Sequence, residues 1–149
     1  MNIFEALRVS HDTQRALAEQ LMATRGDSPE RLRLLRELQA ELAAHETAEE
    51  RCFYIPLMQH DVTMDASRHG IAEHHAMDEL IAQLLATDRS ASGWLVVAGQ
   101  LQHKVLHHLK DEEQGIFQLA GKVLTEAQKI ALAKEYEGEF TSQRLKAAP

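Results

Sequence analysis

A chain of 149 residues is long enough for one domain that buries its own core without staples. Its net charge of -7 argues against nucleic acid or an anionic membrane as the main partner, and a single cysteine, Cys52, excludes an internal disulfide framework. Aromatics are 5% of the residues against 44% hydrophobic overall, with only three Pro and seven Gly, a mixture that favours an all-α domain over a sheet protein.

The first helix is expected from about Asn2 to Thr24, where Ile3, Leu7, Leu17 and Leu21 recur at helical spacing. No basic region followed by an apolar run opens the chain, so no secretion signal is expected there. Gly26, Ser28 and Pro29 then read as a C-cap, an N-cap and a first helical position. The second helix carries Leu32, Leu35, Leu38, Leu42, Cys52 and Phe53, and Pro56 should kink or end it. After a connection over His60–Asp65, a third helix is expected over about Ala66–Ala86, then a fourth over about Trp94–Val123. Trp94 reads as an anchor for the start of that helix, and Cys52 as a small core residue. Thr125 and Gln128 form a capping-box pattern that opens a further helix fading near Leu145.

Long helices with short connections are best satisfied by an up-down-up-down antiparallel four-helix bundle over about 2–123. A short additional C-terminal helix over about 126–145 would complete a single domain, 1–149, packing across one end or side. No stretch approaches the roughly 18 consecutive apolar residues that a membrane helix needs. With one cysteine and no signal, the expectation is a cytoplasmic protein.

Nine histidines are present, and six have an acidic residue four positions on, one helical turn away. Helical phase sorts them. His45 shares its face with Leu38, Leu42, Cys52 and Phe53, which draws Glu49 inward. His108 shares a stripe with Leu101, Val105 and Ile116, which draws Glu112 inward, whereas His107 lines up with Gln100, His103, Lys104, Asp111 and Gln114. His74 sits with Ile71, Met77 and Ile81, and His11 follows Phe4 and Leu7. Each of the four long helices therefore offers one inward histidine: His11, His45, His74 and His108.

One such histidine would read as a hydrogen-bonded core residue. Four, with inward carboxylates, would cost much of a domain's roughly 5–15 kcal/mol of stability unless a shared cation satisfied them. An internal repeat supports that reading. His45-x3-Glu49-Glu50-x3-Tyr54 matches His108-x3-Glu112-Glu113-x3-Phe117 position by position. His60 and His69 read as solvated residues, with the lining of a site entrance as the alternative.

Ser10-His11-Asp12, His45-Glu46-Thr47-Ala48-Glu49-Glu50, Glu73-His74-His75 and His107-His108-Leu109-Lys110-Asp111-Glu112-Glu113 together resemble the hemerythrin-like, HHE cation-binding family. The resemblance spans roughly residues 1–123. It implies two iron ions inside the bundle, bridged by carboxylates and an oxo or hydroxo group, with manganese or zinc as alternative occupants. Carried over by position, the metal ligands are His11, His45, Glu49, His74, His108 and Glu112. Glu46 joins them because carboxylate-rich members have His-Glu-x-x-Glu, although its phase lies about 100° from that of His45. The resemblance also implies packing roles for Tyr54 and Phe117.

Two departures bear on function. Oxygen-carrying hemerythrins have a His-x3-His pair on the third helix, where this chain has Asp78, and His-x4-Asp on the fourth, where it has His-x3-Glu. More anionic donors favour ferric iron and turnover with oxygen, peroxide or nitric oxide over reversible carriage. The alternative is an oxygen- or iron-sensing module without turnover. Expected partners are a small diatomic or peroxide ligand, with the chain as a monomer or homodimer. Ferritin-like di-iron proteins use Glu-x-x-His, and no histidine here has an acid three residues before it.

Overall fold

The computed structural model describes residues 1–147. They form helices α1 (Ile3–Met22), α2 (Pro29–Glu49), α3 (Ile55–Leu57), α4 (Asp61–Ala86), α5 (Ser92–Gln114), α6 (Ile116–Val123) and α7 (Glu126–Ala147). Among the described residues there is no strand, and no helix is long and apolar enough to cross a membrane.

The helix limits follow local chemistry. Asn2 and Glu5 form a capping box that opens α1. The α1–α2 turn uses Gly26 at φ +56, with Ser28 accepting from the Arg31 N–H and Pro29 opening α2. The C-cap of α1 is Ala23 rather than Gly26. Thr125 and Gln128 cap α7 reciprocally at 2.8 and 3.1 Å, and α7 extends 22 residues from that box.

Three further boundaries differ from the sequence expectation. Helix α4 begins at Asp61, five residues early, because nothing in 61–65 breaks a helix and the Thr63 hydroxyl donates to the Leu57 carbonyl at 2.6 Å. The expected fourth helix is two. Gly115, at φ -108 and ψ -87, breaks it between α5 and α6, and a Cβ there would lie 2.7 Å from the Asp111 carbonyl oxygen. The second helix does not stop at once before Pro56. It passes through a π turn, Glu50–Tyr54, in which the Ile55 N–H reaches back to the Glu50 carbonyl, and it ends at Met58 after α3.

Apolar side chains gather in two clusters. One holds Ile3, Leu7, Phe53, Leu57, Ile116 and Phe117, and the other holds Leu21, Leu38, Leu42, Met77, Trp94 and Leu101. Helices α1 and α4 run from the first cluster to the second, while α2 and α5 run back, which gives the up-down-up-down order. Trp94 is fully buried at the start of α5, with the Arg31 guanidinium 4.3 Å above its ring. Helix α7 lies along α1 and α2, adding Leu132, Ala133 and Tyr136 to the first cluster. Between the clusters, all four long helices change from apolar to polar at the same height.

Candidate metal centre

That polar layer contains His11 from α1, His45 and Glu49 from α2, His74 from α4, and His108 and Glu112 from α5, none more than 4% exposed. One ligand atom from each of His11, His45, Glu49 and Glu112 falls within 4.8 Å of the others, and so does one from each of Glu49, His74 and His108. The groups share Glu49, whose Oε1 lies 3.4 Å from His45 Nε2 and 3.1 Å from His74 Nε2. Glu112 reaches both sides as well, with Oε1 3.0 Å from His11 Nε2 and Oε2 3.6 Å from His108 Nε2. Two four-residue spacings, on α2 and α5, which run in the same direction, thus set two carboxylates between two pairs of imidazoles.

The outer ring nitrogens are all held. His11 Nδ1 lies 2.7 Å from Glu113 Oε2, His74 Nδ1 2.9 Å from Glu50 Oε2, and His108 Nδ1 2.9 Å from Glu73 Oε1. His45 Nδ1 lies 2.8 Å from the Tyr136 hydroxyl, itself 2.6 Å from Ser10 Oγ. With the proton on Nδ1, each imidazole donates outward and turns the Nε2 lone pair inward. All four Nε2 atoms, both Glu49 oxygens and Glu112 Oε1 are buried without a hydrogen-bond partner in the protein. Seven such atoms converging on one layer fit a cation, because buried polar groups otherwise find partners. Imidazole nitrogen with carboxylate oxygen suits iron, manganese or zinc.

Charge points the same way. Burial alone would lower His11, but Glu112 and Glu113 outweigh it and lift the imidazole to about 9. His74 is likewise raised well above its usual range, Glu49 and Glu50 overcoming burial. His45 faces a phenol where the others face carboxylates, and burial lowers it to about 4. Burial would raise Glu49, yet His45 and His74 hold it well below the usual carboxylate range. Burial and the neighbouring Glu49 push Glu112 up to about 7. The layer needs positive charge, supplied either by protons on His11 and His74 or by metal.

Six of the seven expected ligands meet in this layer. Glu46 does not. Helical phase turns it from His45 toward Asp78, and burial beside that second acid raises its carboxyl to about 9. Asp78 stands outside the layer too, exposed on α4. His107 is 57% exposed and stacks on His103, as its polar stripe indicates. His60 borders a different groove, between α3 and α7.

Sequence reasoning missed the residues behind the histidines. Glu50 and Glu113 occupy equivalent repeat positions, and each holds an imidazole from another helix. The repeat register could have indicated them. Tyr136, on α7 and 91 residues from His45, left no local signal. Tyr54 does more than pack, since its hydroxyl donates to Glu112 Oε2. Phe117, its repeat mate, stacks on His11 with ring centroids 5.8 Å apart. Burial raises the Cys52 thiol to about 11, which suits an unreactive core residue.

A cavity of about 170 Å³ reaches the layer from outside, bordered by Tyr54, Glu73, His108 and Glu112 within and by His69 and Asp111 at its mouth.

Comparison with known proteins agrees with the fold and with a cation-binding domain. The crystal structure of a hemerythrin HHE cation binding domain-containing protein, the Rv2633c homolog from Mycobacterium kansasii, superposes with a TM-score of 0.89 at 22% identity, covering 98% of this chain and 89% of that one. It shares the fold. No curated protein sequence matches the chain. The family model described as Hemerythrin HHE cation binding domain matches residues 2–120, a span that holds the four histidines and both central glutamates. With that match over most of its length, this chain belongs to the hemerythrin HHE cation-binding domain family.

Proposed function

We propose that the chain is a non-haem di-iron protein that reacts with oxygen, peroxide or nitric oxide. The observation that carries the reading is the convergence of four Nε2 atoms and three carboxylate oxygens, all buried and without partners in the protein. The count exceeds what one ion normally accepts from a protein, and the division into two groups sharing Glu49 matches a pair of ions. His11 and His45 would serve one ion, His74 and His108 the other, with Glu49 and Glu112 spanning both. Bound iron would supply an open coordination position and electrons for reducing a small oxygen ligand.

The residues supply the rest. Glu50, Glu73 and Glu113 hold three imidazoles in the tautomer that frees Nε2 and raise their basicity, which favours the ferric state. Arg15 and Lys104 hold the outer carboxylates in turn, at 2.8 Å from Glu113 and 3.1 Å from Glu73. The 170 Å³ cavity gives a diatomic or peroxide molecule a path to His108 and Glu112. The Tyr54 hydroxyl, at the inner end of that path, orients Glu112 and keeps a proton beside it. We place the protein in the cytoplasm, consistent with its lone buried cysteine.

Protein from iron-rich expression should carry close to two irons per chain by elemental analysis. Reduced anaerobically and exposed to air, it should pass to a stable ferric absorbance that argon does not reverse, and the ferric form should consume peroxide. One zinc and no iron would overturn the di-iron reading. Clean reversal over several air and argon cycles, with no peroxide consumed, would leave iron in place but favour oxygen sensing. The polar layer gives that second reading its support, because emptying it of metal loosens the middle of the fold and couples folding to iron supply.

A further inference from the structure

A second group of potential metal ligands lies at the mouth of the cavity. His69 and Glu73 stand one turn apart on α4, and Asp111 faces them from α5. One ligand atom from each falls within 4.8 Å of the others. His69 Nε2 lies 3.3 Å from Glu73 Oε1 and 3.8 Å from Asp111 Oδ2. His69 and Asp111 are exposed, whereas Glu73 is only 4% exposed. Imidazole and carboxylate donors in this grouping suit a first-row divalent cation.

Two further observations tie the triad to the centre. Glu73 Oε1, the oxygen beside His69, also accepts the Nδ1–H of His108 at 2.9 Å, so one carboxylate borders both sites. At the inner end of the same cavity stand Glu112 and His108, whose Oε1 and Nε2 are buried and without partners in the protein. About 170 Å³ between mouth and centre is room for several waters, enough for an ion that sheds its hydration in steps.

We propose that His69, Glu73 and Asp111 form a capture site that takes a hydrated divalent first-row cation from solution and passes it through this cavity to the buried centre. The proposal rests on the reading of that centre as a metal site. Lys104 decides the character of the capture. Its ammonium lies 3.1 Å from Glu73 Oε2 and cancels one of the two negative charges. The triad therefore holds a cation weakly, as a transfer site must, since a tight site would retain the ion at the surface.

The test uses full-length metal-free protein mixed anaerobically with limiting ferrous ion, following uptake by stopped-flow absorbance and final content by elemental analysis. His69→Ala combined with Asp111→Asn alters only exposed side chains. This variant should take up iron at least about tenfold more slowly, the lower end of what a charged, field-focusing cleft contributes to capture. Its final iron content should equal that of the unaltered protein. The control, His60→Ala with Glu135→Gln, makes the same change in the groove between α3 and α7 and should keep the original rate. An unchanged rate in the first variant, or an equal slowing in the control, overturns the capture site. If the unaltered protein takes up no iron into a buried site, the reading of the centre fails, a result distinct from either.

Discussion

The two His-x3-Glu-Glu-x3-aromatic segments are near copies in sequence, yet the chain handles them differently in space. In both, the histidine and first glutamate face the polar layer, and the second glutamate holds a histidine of another helix. In both, the aromatic follows the central glutamate by five residues. A regular α-helix would place it about 140° away from that glutamate. Both segments leave the α-helical path at this point, by different means. After Glu49 the helix widens into the π turn Glu50–Tyr54; after Glu112 it breaks at Gly115. The π turn brings Tyr54 level with the layer, where its hydroxyl meets Glu112. The break sends Phe117 to stack on His11. One repeat thus contributes a polar contact to the centre and the other an apolar wall. A duplicated ligand pattern does not make the two sides equivalent.

The comparison is broken most severely at what the halves share. Glu49→Ala and Glu112→Ala should each reduce metal content from two ions toward none, because each carboxylate approaches histidines of both pairs. His45→Ala and His108→Ala should also lose most metal, and His107→Ala should retain it. Elemental analysis after iron loading measures all five. Full loss in His107→Ala would show that the register of α5 is wrong.

Metal removal should separate loaded from metal-free protein increasingly as pH rises. In metal-free protein, the raised His11 and His74 stabilise the fold fully below their ordinary pKa of 6.5, and that stabilisation fades as pH climbs to about 9 at His11. Metal requires unprotonated Nε2, so its binding strengthens over the same window. At a thousandfold excess over Kd the loaded form gains about 4 kcal/mol. Thermal melts at pH 6.5 and 8.5 should therefore show a wider gap at the higher pH. A gap that is constant or narrows would mean that protons and metal do not compete for these imidazoles.

Outer contacts should matter less and should reveal the asymmetry. Glu50→Gln and Glu113→Gln should weaken the affinity for iron by about 10–100-fold. Tyr136→Phe should weaken only the ion served by His45, since the phenol touches no other histidine. Equal loss at both ions in titrations of Tyr136→Phe would indicate general loosening of α7.

The smallest effect is expected at the aromatic positions. Gly70 lies against the Tyr54 ring, where an added Cβ would come within 2.4 Å of it. Gly70→Ala should displace Tyr54 and, like Tyr54→Phe, remove a hydrogen bond to Glu112 worth about 1.5–3 kcal/mol if the acceptor is charged. Iron should be retained while its absorbance bands shift. An unchanged spectrum in both variants would remove Tyr54 from the centre.

Helical phase alone was enough to turn His11, His45, His74 and His108 inward, to separate His108 from His107 and to draw in Glu49 and Glu112. Each of those judgements compares a residue with neighbours three or four positions away, and such comparisons survive folding unchanged. The capping signals that open α2 and α7 were legible for the same reason, whereas the end of α1 was set three residues before the expected Gly26. The π turn and the break at Gly115 were not legible, because a π turn shifts the helical phase without a residue type that marks it, and a single glycine inside a helical pattern is often tolerated. Nor could phase show that Glu50, Glu73, Glu113 and Tyr136 stand behind the four histidines. Those contacts join helices 24 to 102 residues apart, and only packing settles which helices are neighbours. The sequence by itself, read through helical phase, determined which histidines and glutamates enter the polar layer, and the one ligand expected against its phase, Glu46, lies outside it. The tertiary structure decided how they are shared, with Glu49 and Glu112 each between two histidines, since sharing depends on distances between helices that no single helix carries.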